Sequence, residues 1–224
     1  MKEYTINSRH VTCWQGNGDI IVYANVFAEQ REELAALMTL DKLTLVTIDS
    51  VDWNGDFSPW PATRVFAKED DFAGNGTAYI KEMTTAIIPV IEQDVGIPRE
   101  RIIAGYSLAG LLAYYGLYET PLFTRAVCAS PSLWYDGMSD FVRTHSFAIK
   151  PKSIYFSLGN TEKKTRNMRM KTVEDAIVET EKYVSSQGIT TTFILNPGNH
   201  FQQPMKRLAQ GIEWTLKEIE KEMT

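Results

Sequence analysis

The chain has 224 residues, 44% of them hydrophobic and 23% charged, a globular balance with enough length to bury one sizeable core. Its formal charge of −5 argues against a nucleic-acid partner, because phosphate binding requires a basic face. No apolar run approaches the roughly 20 residues that cross a membrane, and the amino-terminal stretch Met1-Lys2-Glu3-Tyr4 lacks the apolar core of a signal peptide.

Strand-like and helix-like segments alternate along the chain, with no repeat, no low-complexity stretch and no linker long enough to divide it, so one domain over 1–224 is expected. Strand-like runs fall at Arg9–Trp14, Asp19–Asn25, Leu43–Ile48, Arg101–Ala104, Arg125–Ala129, Ser153–Leu158 and Thr191–Leu195. Several are continuously apolar and β-branched, which suits strands covered on both faces. Helical patterns occupy Gln30–Leu40, Thr77–Asp94, Leu108–Tyr118, Met170–Ser186 and Pro204–Lys221. In the last, Met205, Leu208, Ala209, Ile212, Leu216 and Ile219 form one apolar face. Gly188 is placed to stop the helix before it. Such alternation predicts an α/β fold, a mostly parallel sheet with helices on both faces, whose function gathers at the carboxyl ends of the strands. Cys13 and Cys128 lie in separate strands and fit neither a metal spacing nor a disulfide framework, so buried thiols in a cytoplasmic setting are expected.

The stretch Ile102-Ile103-Ala104-Gly105-Tyr106-Ser107-Leu108-Ala109-Gly110 reads as strand, G-x-S-x-G turn and apolar helix. It resembles the nucleophile elbow of the α/β-hydrolases, where a turn crowded enough to need small neighbours lifts a serine hydroxyl out of the sheet. A serine needs a base, and the base needs an orienting group. In that superfamily the chain order is serine, acid, histidine. Of the three histidines, His10 precedes Ser107, and His145 precedes the strand that should deliver the acid. His200 follows the last strand in a turn, where the general base is required. Glu162 is the first carboxylate after the strand ending at Leu158 and is the candidate acid, with Asp136 and Asp140 as alternatives on the preceding connection. The oxyanion requires backbone N–H donors. Leu108, directly after the nucleophile, supplies one. The second falls in the turn after Asn25, nearest Val26 or Phe27. Among the aromatics of these loops (Trp53, Trp60, Phe72, Trp134, Tyr135 and Phe201), Trp53 and Trp134 are the best candidates for a substrate pocket, since each follows a strand tip closely.

Several segments together resemble the esterase D-like branch of the α/β-hydrolases, which includes S-formylglutathione hydrolases, feruloyl and acetylxylan esterases and siderophore esterases. They are Ile20–Asn25, Val46–Ser50, Gly105–Gly110, Ser130-Pro131-Ser132-Leu133-Trp134-Tyr135 and Gly198-Asn199-His200, in the family's order over most of the chain. The resemblance implies a serine esterase acting on a small-molecule ester with no metal and no coenzyme, an acid after the Leu158 strand, and Val26 as the second oxyanion donor. The chain is short for the class and has no insertion large enough to form a cap domain, so an open cleft bordered by loops is expected. An acyltransferase on the same three residues, a peptidase, or an inactive binding module on the same fold are the competing readings. The sequence carries no signal for the oligomeric state.

Overall fold

The computed structural model describes residues 1–223. Eight strands form one sheet in the spatial order β1-β2-β4-β3-β5-β6-β7-β8. They are β1 Lys2–Ile6, β2 Arg9–Trp14, β3 Ile20–Asn25, β4 Thr44–Asp49, β5 Glu100–Tyr106, β6 Arg125–Ala129, β7 Ser153–Gly159 and β8 Thr190–Asn196. The β1–β2 and β2–β4 pairs are antiparallel, and every pair from β4 through β3 to β8 is parallel. Strands β3 to β7 are almost wholly buried, which explains their continuous apolar runs. Strand β1 is not foreseen in the sequence. Its KEYTI run is a mostly exposed edge, too polar and short to stand out from a loop.

Successive residues of the central strands feed two separate cores. Ile21, Tyr23, Ile103, Ala126, Cys128 and Phe156 face the helices α3 (Gly76–Glu82), α4 (Ile88–Val95), α5 (Leu108–Glu119) and α7 (Val173–Ser186). Val22, Ala24, Ile102, Ala104, Val127 and Ala129 face α1 (Arg31–Leu37) and α8 (Pro204–Lys221). This period of two is the pleat of the sheet. It yields the expected layered α/β architecture, and both cysteines are buried free thiols within the first core.

Local chemistry sets the helix limits. The first predicted helix is shorter than its pattern, because Met38 is already extended. The run Gly76–Val95 carries Pro89, which cannot donate to the carbonyl four residues back and would crowd it. A π-helical segment, Met83–Ile87, opens the ladder just before the proline, and Ile88 N–H reaches back five residues to Met83. Gly188 adopts φ +71° after α7, as the sequence suggests. The short helices α2 (Trp53–Asp56) and α6 (Met138–Thr144) sit in the connections after β4 and β6. No helix among the described residues is long and apolar enough to cross a membrane.

Candidate active site

The carboxyl ends of β4, β5 and β6 each turn through a serine with positive φ: Ser50 at +59°, Ser107 at +61° and Ser130 at +42°. For a non-glycine residue this conformation stores about 1–3 kcal/mol and requires its surroundings to hold it. At Ser107 they do so from three sides. Its N–H donates to Ala129 O at 3.0 Å, and its carbonyl accepts from Leu111 N–H and Ser132 N–H, both at 3.1 Å. The last bond explains the Ser-Pro-Ser-Leu-Trp segment, whose backbone clamps the elbow from the neighbouring strand. A side chain at Gly105 would overlap the Ala109 carbonyl, so only glycine permits the chain to double back there.

Ser107, His200 and Glu162 come together from three separate strand ends. His200 Nε2 lies 2.9 Å from Ser107 Oγ, and His200 Nδ1 lies 2.7 Å from Glu162 Oε2. The other carboxylate oxygen, Glu162 Oε1, accepts from Gly159 N–H at 2.6 Å, Ser130 Oγ at 2.8 Å and Arg207 Nη1 at 3.0 Å. Burial alone pushes this carboxyl up. The bond and charge of His200, aided by Gly159 and Ser130, outweigh that and hold it below the usual carboxylate range. Tyr106, the residue before the serine, donates its hydroxyl to the His200 carbonyl at 2.7 Å.

The alternative acids and bases lie elsewhere. The Asp136 carboxylate is exposed and faces Arg169 at 3.0 Å, while Asp140 is exposed beside Arg143. His145 follows α6 with its ring stacked on Phe141, and His10 meets Asp49. Among the described residues, no group of three or more His, Cys, Asp and Glu side chains is arranged to hold a metal ion.

Leu108 is the first residue of α5, so its N–H has no carbonyl behind it within the helix. At Val26 the structure departs from expectation. Parallel pairing sets Asn25 beside Ile48, and the Val26 N–H continues that ladder, donating to Ile48 O at 3.2 Å. It is a sheet hydrogen bond, not a free donor. One residue further, the Phe27 N–H donates to a side chain, Gln30 Oε1, at 3.2 Å. Both Phe27 and Gln30 line the cavity, and Val26 does not.

That cavity has a volume of about 450 Å³ and opens over Ser107. Trp53 and Trp134 line it, together with Phe72 and Phe201. Trp53 stacks on Phe27 at 3.8 Å between ring centroids. Trp60 and Tyr135 do not line it. Trp60 packs against Tyr115, Tyr135 and Phe141, and Tyr135 donates its hydroxyl to Trp60 O at 2.5 Å. A further wall comes from the irregular stretch 57–75, which contributes Val65, Phe66 and Glu69 and for which the sequence offered no periodic signal. Among the described residues, no Lys or Arg lines the cavity, and beyond Glu162 the sole lining carboxylate is Glu69.

A mostly parallel sheet flanked by helices, with a serine on a strained strand-to-helix turn at its carboxyl edge, is the α/β-hydrolase fold. No large cap covers the site among the described residues. Residues 10–201 match the model of the Esterase family, described as "Putative esterase". The chain belongs to that family and is a carboxylic-ester hydrolase. The protein YbbA of Bacillus subtilis strain 168 is 25% identical over 184 residues, covering 78% of this chain and 74% of that one. Two solved structures share the fold at lower identity. An IroE-like serine hydrolase from Shewanella oneidensis superposes with a TM-score of 0.78 at 16% identity, covering 93% of this chain and 76% of that one. The siderophore hydrolase EstA from Aspergillus nidulans superposes with a TM-score of 0.70 at 15% identity, covering 92% and 89%.

Proposed function

We propose that the chain hydrolyses uncharged carboxylic esters with apolar or aryl acyl groups, through a Ser107–His200–Glu162 triad and an acyl-enzyme. The single observation that carries this reading is the unbroken chain of contacts, 2.9 Å and then 2.7 Å, from the Ser107 hydroxyl through His200 to Glu162 at the floor of the cavity. Ser107 Oγ attacks the ester carbonyl as His200 Nε2 takes its proton. Glu162 accepts Nδ1–H, which fixes the tautomer and stabilises the imidazolium. Imidazolium then protonates the departing alkoxide. Water, deprotonated by the same ring, attacks the acyl-enzyme and returns Ser107 to its starting state.

The oxyanion is received by the N–H groups of Leu108 and Phe27. In the resting structure Gln30 Oε1 occupies the Phe27 donor, so the developing oxyanion replaces a neutral side-chain acceptor. This exchange favours the transition state because charged acceptors bind N–H groups more strongly than neutral ones. The aromatic lining and the absence of any lining cation favour acyl groups without a carboxylate. Two solved structures of the same fold, a siderophore hydrolase and a ferulic acid esterase, are consistent with small-molecule esters.

A fluorophosphonate probe should form a covalent adduct at Ser107, and Ser107→Ala should abolish both labelling and turnover of p-nitrophenyl esters. An unlabelled but folded wild-type protein would overturn the proposal. Within an ester panel, aryl and medium-chain acyl groups should be cleaved faster than succinyl or other carboxylate-bearing ones, and equal rates would remove the substrate assignment.

A further inference from the structure

Arg207 is a long charged side chain that is only 3% exposed. Burying a guanidinium is unfavourable unless its donors are met, and here the four N–H groups on its two terminal nitrogens reach four acceptors. Nη1 donates to Glu162 Oε1 at 3.0 Å and to the Tyr106 hydroxyl at 3.2 Å. Nη2 donates to the carbonyls of Pro197 and Asn199, both at 3.0 Å. One planar group therefore ties the acid's carboxylate to the backbone just before the base. Tyr106 closes the loop by donating to the carbonyl of His200 itself.

We infer that Arg207 is a positioning residue for the hydrolysis, setting the Glu162–His200 distance by clamping the two loops that carry them and moderating the carboxylate's charge. The inference rests on the proposed triad. The clamp joins loops from two different strands, β7 and β8, to the first turn of α8, so no local interaction could replace it. A lysine could supply the charge but not the fork, because one ammonium nitrogen cannot span acceptors on both sides of a plane.

The charge has its own consequence. The groups in contact with the Glu162–His200 pair are Arg207 from α8, Tyr106 from β5 and Ser130 from the turn after β6, and Glu69 lines the same cavity. Lys163, next to Glu162 in sequence, is turned to Glu174 at 2.9 Å. Among the described residues, Arg207 is thus the one Lys or Arg in contact with the carboxylate. Without it, the full negative charge of Glu162 acts on His200 and favours the protonated ring. The base is then lost at a higher pH, and the acid limb of the kcat/KM profile moves upward.

The test compares Arg207→Met, Arg207→Lys and wild type on p-nitrophenyl butyrate, with rates followed by pH-stat and the fold checked by near-UV circular dichroism. Arg207→Met should lower kcat/KM by about 10²-fold and move the acid limb of its pH profile upward. Arg207→Lys should return the limb to its wild-type position while leaving the rate at least about tenfold low, which separates charge from geometry. A purely structural role would lower the amount of folded enzyme without moving the limb. If Arg207→Met does not fold, Arg207→Lys still decides: wild-type kcat/KM in that variant overturns the inference. An active wild type with indifferent variants defeats this inference alone, whereas a wild type that neither hydrolyses the ester nor takes up fluorophosphonate defeats it together with the triad.

Discussion

Replacing Glu162 by glutamine changes one oxygen to nitrogen, and the surrounding bonds decide which. Three donors converge on Oε1, from Gly159, Ser130 and Arg207, and the neighbour at Oε2 is the single His200 Nδ1. The amide carbonyl must therefore take the Oε1 position, and its NH₂ must face His200. Two donors would then meet at 2.7 Å unless the imidazole moves its proton to Nε2. A ring protonated at Nε2 cannot take the serine's proton. On the proposed mechanism the loss is about 10³–10⁴-fold in kcat, or roughly 4–5.5 kcal/mol at about 1.36 kcal/mol per decade. Glu162→Ala should be less damaging than glutamine, because the space it opens admits water, which can accept the Nδ1 proton. The assay is steady-state hydrolysis of p-nitrophenyl butyrate by both variants, with circular dichroism to establish folding. A glutamine variant within about tenfold of wild type, or one more active than the alanine variant, would refute the orienting role.

Gln30→Glu places a carboxylate against the Phe27 N–H where the oxyanion must form, and should lower kcat by about 10²-fold with little change in KM. An unchanged kcat would mean that Phe27 is not the second donor. Gly211→Ala adds a methyl against Val127 and within 2.6 Å of Tyr155 where α8 crosses β6 and β7, and overpacking there should destabilise the fold by about 1–3 kcal/mol in urea titration. Glu100 and Glu162 have folded-state values below the ordinary 4.5: burial pushes each up, but Lys152 and Arg125 outweigh it at Glu100, and the bond and charge of His200 with the Gly159 and Ser130 hydrogen bonds outweigh it at Glu162. Their contribution to stability is therefore complete above that value and is lost as pH falls through the lower folded values. Glu100→Gln should flatten the acid-unfolding slope. It should also lower stability near neutrality by about 3 kcal/mol, because the fully buried Arg125 loses its buried partner. An unchanged slope would refute that assignment.

Much of the fold was legible because its signals are local. Buried parallel strands declare themselves as apolar runs, and alternation with helices leaves few arrangements. Ser107 could be singled out because a strained turn between strand and helix demands small residues at fixed offsets. His200 and Glu162 followed from chain order and the scarcity of histidines. Strand β1 and the stretch 57–75 were not legible, because neither has a period of its own: one is an edge held by β2 and the other is shaped by what it covers.

Tertiary structure alone decided the finer parts of the site. Whether the N–H of Val26 or of Phe27 is available depends on the register between β3 and β4, which commits Val26 to Ile48. Arg207 sits two residues from Met205, about 200° around the helix and opposite its apolar stripe, so periodicity assigns it to solvent. It is buried because the first turn of α8 passes beneath the loops after β7 and β8, and those loops bring the acceptors that satisfy its charge. Residue types and their spacing determined which chemistry this chain carries. Which backbone groups the sheet occupies, and which buried charge is satisfied, depends on contacts between segments from 8 to 101 residues apart, and that information exists only once the chain has folded.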